Sequence, residues 1–177
     1  MDDYALEMLA NKYQAEQRVP EVIWFYRAVE QINPQVIVEI GIKEGGNLKV
    51  LSTHLDEHGL AIGIDPRKEI PWKMNDSKCK VHHIQGDSHA HSTKDKLIEI
   101  LQGKMIDVLF IDGDHSTKGM LADFNDYSSL VCPGGIIAVH DIFYLQEVRD
   151  AWAQIPGRKF ESPWVQSSIG IGYIIKE

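Results

Sequence analysis

The sequence predicts an α/β protein built on a mostly parallel sheet of seven strands, closed by an antiparallel C-terminal hairpin and covered by helices on both faces. Three observations predict it. From residue 36 onward, short apolar runs rich in β-branched residues alternate with amphipathic segments of helical period. Each run is bounded by Gly, Asp or Pro, as buried parallel strands are. Near the C-terminus the alternation stops, and two strand-like runs follow one another with only a short link.

The stretch before residue 35 is helical. Leu6, Leu9 and Tyr13 recur at helical spacing. A second helix starts near Pro20, a residue tolerated in a first helical turn, and carries Val22, Phe25, Tyr26, Val29 and Ile32 on one face. Asn33-Pro34 stops it. The apolar runs at 36–40, 60–64, 81–84, 106–111 and 136–139 are the parallel strands. Leu48, Leu51 and Leu55 mark a helix with Asn47 as its expected cap. Leu97, Ile98 and Leu101 mark the next, after the expected caps Ser92-Thr93. Met120, Phe124, Tyr127 and Val131 recur at helical spacing before Pro133-Gly134-Gly135, and a last helix carries Leu145, Val148 and Trp152 before Pro156-Gly157. The closing hairpin is expected from 160–165 and 169–175.

The 177 residues fit one domain, with 1–34 as an N-terminal helical cap on a core of 35–177. With 44% hydrophobic and 25% charged residues, the chain can bury a core without staples. No apolar run reaches the roughly 18 residues of a membrane span. The start MDDYALEMLANKYQ is acidic and mixed, unlike a secretory signal, so a cytoplasmic location and no membrane partner are expected. A net charge of −8 argues against a nucleic-acid partner, which needs a basic face. Cys79 and Cys132 give neither a disulfide framework nor a metal spacing.

The first strand carries Glu39 and runs into Gly41, Gly45, Gly46 and Asn47. In an open α/β sheet, ligands bind beyond the carboxyl ends of the strands, and glycine lets the backbone approach them closely. The spacing E-x-G-x-x-x-G-G is neither the dinucleotide G-x-G-x-x-G nor a P-loop. It suits a guest without phosphate, with Glu39 favouring an ammonium group. The second strand ends at Asp65, a carboxylate placed to accept ribose hydroxyls. The third ends Gln85-Gly86-Asp87-Ser88, within reach of a base edge. The fourth ends Asp112-Gly113-Asp114-His115 and the fifth His140-Asp141. Any one acidic tip also fits a plain turn or cap. Acidic residues at five successive tips describe a continuous rim for a cationic, hydroxyl-rich ligand.

In this order the motifs resemble those of the class I methyltransferases dependent on S-adenosylmethionine (SAM). Residues 36–47 are similar to the family's glycine-rich motif, Gly63-Ile64-Asp65 to its ribose motif and Gln85-Gly86-Asp87-Ser88 to its adenine motif. Residues 110–115, with Ala122-Asp123-Phe124, Pro133-Gly134-Gly135 and Val139-His140-Asp141, resemble a narrower group. That group comprises relatives of cephalosporin-tailoring enzymes and macrolide sugar O-methyltransferases. The resemblance implies a Rossmann-like fold, with SAM held by Glu39, Gly41, Gly45, Asn47, Asp65, Asp87, Ser88 and Asp112. It implies a divalent metal, Mg²⁺ or Mn²⁺, on Asp112 and Asp141 with His140 as third ligand, and His115 as catalytic base. The acceptor it implies is a small hydroxylated molecule, a sugar or natural product. His140 departs from the family's commoner acidic residue, and imidazole suits Mn²⁺ better than Mg²⁺.

Two other readings stay open. Asp112, Asp114, His115, His140 and Asp141 could hold a metal for hydrolysis, which leaves Glu39, Asp65 and Asp87 without a ligand. Alternatively, the chain is a non-catalytic module that keeps the fold and SAM binding. His82, His83, His89 and His91 read as structural or solvated, and His54 and His58 as surface residues. Trp72, Tyr144, Trp152 and Trp164 are candidates to border the acceptor pocket, although Trp152 reads better as packing. The short N-terminal cap leaves that pocket open, or completed by a second copy in a homo-oligomer.

Overall fold

Seven strands form one sheet in the order β3-β2-β1-β4-β5-β7-β6 in a computed structural model of the chain, which describes residues 1–67, 76–163 and 168–177. The elements run α1 (Asp3–Tyr13), α2 (Val19–Glu30), β1 (Val36–Ile40), α3 (Gly46–Leu51), β2 (Leu60–Asp65), β3 (Lys80–Gln85) and α4 (His91–Leu101). They continue with β4 (Ile106–Ile111), α5 (Thr117–Tyr127), β5 (Val131–His140), α6 (Gln146–Gln154), β6 (Lys159–Glu161) and β7 (Ile171–Ile175). Strands β1 to β5 pair in parallel, and β7 runs antiparallel to both β5 and β6. The mostly parallel sheet with a closing antiparallel pair is the architecture expected from the sequence.

Burial explains the sequence pattern. Every residue of β1 and β2 is buried, because each strand is covered on both faces. On one face Leu97 of α4, Met120, Phe124 and Tyr127 of α5, and Val148 and Trp152 of α6 pack against Val38, Ile62, Leu109 and Ile137. On the other, Phe25 and Val29 of α2 and Leu48 and Leu51 of α3 pack against Ile37, Ala61, Val108 and Ala138. Helix α1 lies outside this layer, with Leu6 and Ala10 against Val22 and Tyr26 of α2 and Val50 of α3. No helix among the described residues is long and apolar enough to cross a membrane.

The strand order reverses between β1 and β4, which opens a crevice at their carboxyl ends. Register places the strand tips level there: Ile40 pairs with both Ile64 and Ile111, and Ile111 with Val139. The residues that follow, Gly41, Asp65, Asp112 and His140, therefore meet at one rim.

Three local expectations are corrected. Asn47 does not cap α3: it lies inside the helix, while Gly45, at φ 81°, turns the chain into it. The Asn47 side chain is drawn instead to Glu39. Ser92 and Thr93 fall within the first turn of α4, whose cap position is Ala90. Thr93 is buried under Gly86, where a Cβ would meet its Oγ1 at 2.3 Å. Finally, β5 begins at Val131 and includes Pro133-Gly134-Gly135, with an irregular register opposite Ile106 and Val108. The described part of β6 is Lys159–Glu161, while Trp164 and Val165 lie outside the described residues.

One buried carboxylate ties the N-terminal helices to the end of the chain. Glu21 of α2 is 1% exposed. Its Oε1 accepts from the Ser168 hydroxyl and from the amides of Ile169 at 2.9 Å and Gly170 at 2.8 Å. Its Oε2 accepts from the Arg18 amide at 3.3 Å. Removing the acceptor strands several buried donors, each of which costs about 1–3 kcal/mol when unpaired. Glu21→Ala is therefore expected to lower stability by about 2–4 kcal/mol in a denaturant titration. A loss below about 0.5 kcal/mol would show that water replaces the carboxylate at no cost.

Candidate functional site

A cavity of about 580 Å³ opens at the crevice between β1 and β4. Gly41, Asp65, Asp87, Ser88, Asp112 and His115 line it, together with Arg67, His89 and Asp114. Beside it, a space of only about 30 Å³ is lined by Glu39, Gly41, Gly46, Asn47 and Asp112 and roofed by Gln14, Glu16 and Gln17. The structure thus brings the expected residues of all five strand tips close to one rim, with Glu39 beneath it.

Gly41 is required where the chain leaves β1. It has φ +84°, and a Cβ there would lie 2.1 Å from the carbonyl oxygen of Asp112. Glu39 faces inward and is 2% exposed. Its Oε1 accepts from Asn47 Nδ2 at 3.1 Å, while its Oε2 is buried without a partner among the described residues. Burial pushes its carboxyl up to about 8, against the Asn47 hydrogen bond and aided by the nearby Asp112 and Asp65. A buried acceptor with no donor is a polar vacancy that a cationic group would fill.

Asp65, at the tip of β2, is fully engaged. Its oxygens accept from the Lys43 amide at 2.8 Å and the Arg67 amide at 3.0 Å. The Arg67 guanidinium forks onto both, Nε at 2.9 Å and Nη2 at 3.0 Å. Burial opposes ionisation, but these donors hold the carboxyl below its usual range. Arg67 thus occupies the place where ribose hydroxyls were expected. Its guanidinium is half exposed, so the pair is worth at most about 1 kcal/mol. Arg67→Ala should accordingly raise the affinity for S-adenosylhomocysteine (SAH) by about twofold to fivefold in calorimetry. A lower affinity would instead make Arg67 a ligand of the guest.

The fourth and fifth strands meet at a cluster of two carboxylates and two imidazoles. His115 Nε2 lies 3.3 Å from Asp112 Oδ1 and 3.3 Å from Asp141 Oδ2. His140 Nδ1 lies 3.2 Å from Asp112 Oδ1 and 3.6 Å from Asp141 Oδ1. His140 is 4% exposed behind the carboxylates, whereas the His115 side chain is 41% exposed on the cavity wall. Ligand atoms of Asp112, His115 and Asp141 all lie within 4.8 Å of one another, a spacing that would admit one cation. Asp141 sits at φ 62°, a left-handed backbone rarely adopted by non-glycine residues and often kept at working sites. Burial opposes ionisation of Asp112, but the two imidazoles hold it low. His115 is raised chiefly by its hydrogen bond to Asp112, and burial raises Asp141.

Sequence reasoning missed three participants. Gln17, in the turn between α1 and α2, is 5% exposed and donates from Nε2 to Asp112 Oδ2 at 3.0 Å. His89, read as structural or solvated, lines the cavity, with Nε2 3.2 Å from the Gly119 carbonyl and 3.3 Å from Asp123 Oδ1. Arg67, two residues after Asp65, lines the cavity and forks onto that carboxylate. Among the aromatic candidates, Trp152 is packed in the core and donates to Glu161 at 2.8 Å, and Tyr144 is exposed. Trp72 and Trp164 lie outside the described residues.

A family model described as a methyltransferase domain matches residues 38–142, which contain the glycine turn and every strand tip of this rim. The chain belongs to this methyltransferase family. The family is consistent with the group that the motif order resembled. The methyltransferase is 37% identical over 113 residues to uncharacterized protein R132 of Acanthamoeba polyphaga mimivirus. The match covers 59% of this chain and 50% of that protein, so the chain spans about half the length of this curated relative. Its fold is similar to that of an O-methyltransferase from Bacillus cereus solved in complex with SAH (TM-score 0.71, 17% identity, 99% of this chain and 92% of that one). It is also similar to TomG from Streptomyces achromogenes, an O-methyltransferase of tomaymycin synthesis solved with SAM (TM-score 0.68, 14% identity, 100% and 92%). The TDP-rhamnose 3′-O-methyltransferase CalS11 of calicheamicin biosynthesis aligns less completely (TM-score 0.60, 13% identity, 86% and 77%).

Proposed function

We propose that this methyltransferase transfers the methyl group of SAM to a hydroxyl of a small molecule, a sugar or natural product. The observation that carries the reading is the buried, unpartnered Glu39 oxygen beside the glycine turn, in line with Asp65, Asp87 and the Asp112 cluster. A guest that is cationic at one end and hydroxylated in the middle matches that row. Similar folds include O-methyltransferases solved with SAM or SAH, which supports the same guest and reaction. In this reading residues 1–177 act as one domain, with 1–34 capping the cofactor end.

The bound cofactor supplies an electrophilic methyl on a sulfonium. Glu39 pairs with its ammonium, and Gly41 and Gly45 let the backbone approach. Asn47 keeps Glu39 in place. Asp65, if released by Arg67, would accept from the ribose hydroxyls, and Asp87 and Ser88 would border the base. His115, on the open wall, takes the proton of the acceptor hydroxyl as its oxygen forms the bond to the methyl carbon and the carbon–sulfur bond breaks. Asp112 and Asp141 orient that imidazole and stabilise its charge.

The donor set also fits a divalent cation. Asp112 and Asp141 would hold it, with His140 from the buried side or His115 from the open side as the nitrogen ligand. Such a cation would lower the pKa of a bound acceptor hydroxyl. Titration calorimetry with SAH, with and without Mn²⁺, tests the proposal. Micromolar or tighter SAH binding is expected, with Mn²⁺ bound more weakly by Asp112→Asn. No SAH binding under either condition would overturn the reading and return attention to metal-dependent hydrolysis.

A further inference from the structure

A second groove lies away from the crevice, along the outer edge of the sheet. Strand β3 has β2 as its single neighbour, and its other edge is unpaired, among the described residues. The parity of its hydrogen bonds follows from its ends. The Lys80 amide donates to the Gly59 carbonyl at 2.9 Å and the Gly86 amide to the Asp65 carbonyl at 3.1 Å. Because alternate residues of a parallel strand face alternate sides, the N–H and C=O groups of Val81, His83 and Gln85 point away from β2. Beside this edge, α4 forms the second wall of a groove of about 550 Å³.

The groove is basic on an acidic protein. Lys80, Lys96 and Lys104 line it, against the single carboxylate Glu99. The chain as a whole carries a net charge of −8. None of these lysines forms an ion pair among the described residues, where the lysine pairs are Lys43–Glu16 and Lys94–Asp126. His83 also lines the groove, and its Nε2 is buried without a partner among those residues.

We propose that this groove binds an acidic, extended peptide segment of a partner protein as an added strand on β3. The open row of amides and carbonyls matches a peptide backbone and gives it register. The lysines choose among peptides by charge. The six residues of β3 span about 20 Å, the length of a short extended segment. A nucleic acid would gain nothing from the backbone row and would meet a net negative protein. A second copy would bring two basic grooves together. The strand ends in Gln85-Gly86-Asp87-Ser88, so a bound segment lies against the same strand that carries the base-bordering residues of the cofactor site.

The test uses the full chain, ¹⁵N-labelled, and an acetylated, amidated hexapeptide of alternating Glu and Val. Hydrogen exchange at Val81, His83 and Gln85 should slow by at least tenfold on saturation, and the Lys-Val counterpart should give no change. Lys80→Glu combined with Lys96→Glu should weaken peptide binding at least tenfold while leaving SAH affinity within twofold. Several results would overturn the proposal. One is no protection at the three amides. A second is equal binding of a peptide N-methylated at every amide, which would reduce the contact to charge alone. A third is equally tight binding of a single-stranded oligonucleotide of matched charge. The last is protection already present without peptide in a dimer, which would give the edge to a second copy.

Discussion

Replacing His115 with alanine is expected to lower methyl transfer by about 10²–10⁴-fold while changing SAH affinity by no more than about threefold. The split follows from position. The imidazole stands on the cavity wall, 3.3 Å from a carboxylate oxygen of Asp112 and 3.3 Å from one of Asp141. It is the exposed member of the cluster, while His140 lies behind the same carboxylates. A base is needed as the hydroxyl proton leaves and has little effect on the resting complex, so its removal acts on turnover rather than on cofactor binding. The check is single-turnover kinetics beside calorimetry of SAH and of Mn²⁺. If Mn²⁺ affinity falls together with turnover, His115 serves as a ligand and the base lies elsewhere. If SAH affinity falls in the same proportion as turnover, the residue only shapes the pocket.

Glu39→Gln should move stability and binding in opposite directions. The folded-state carboxyl, raised mainly by burial, titrates at about 8, above its ordinary value of 4.5. A folded pKa raised in this way makes a contribution to stability that is full below about pH 4.5 and is lost as pH rises through about 8. At pH 8 the ligand-free protein therefore holds a partly ionised, half-satisfied carboxylate in its interior. Glutamine keeps the Asn47 contact and carries no charge, so the variant should be more stable there by on the order of 1 kcal/mol or more. The same change removes the partner proposed for the cofactor ammonium, and SAH affinity should drop about 10- to 100-fold, the worth of a charged hydrogen bond. Near pH 7, SAH binding by the unsubstituted protein should release a proton from Glu39. Calorimetry in buffers of different ionisation enthalpy reads that release, which should disappear in the variant. Equal binding by both proteins would remove Glu39 from the cofactor site.

The sheet was legible in the sequence because burial on both faces writes continuous apolar runs. Ile37, Ala61, Val108 and Ala138 face one helical layer, and Val38, Ile62, Leu109 and Ile137 face the other. The strand tips were legible because the topology repeats: each parallel strand delivers its last residue to the same rim, so Glu39, Asp65, Asp87, Asp112 and Asp141 could be read as a set. Contacts across the chain could not be read in this way. Gln17 meets Asp112 from 95 positions away, and nothing in the helical pattern of α1 and α2 marks the turn between them as part of a site. Asn47 has the chemistry of a helix cap, yet the buried Glu39 draws its amide inward. Arg67 stood two residues from Asp65 in plain view. Its fork depends on the bend after β2, and local spacing alone leaves that bend undetermined.

The roof over the glycine turn fastens the N-terminal helices to the strand tips. Backbone carbonyls of Tyr13 and Gln14 would lie within 3 Å of any Cβ on Gly46, Glu16 holds Lys43, and Gln17 holds Asp112. The space beneath them is far smaller than the neighbouring cavity, about 30 Å³ against about 580 Å³. A group that meets Glu39 lies against the turn between α1 and α2, which Glu16 and Gln17 tie to Lys43 and Asp112. Exchange of a guest at Glu39 would then depend on the N-terminal pair of helices as well as on the strand tips.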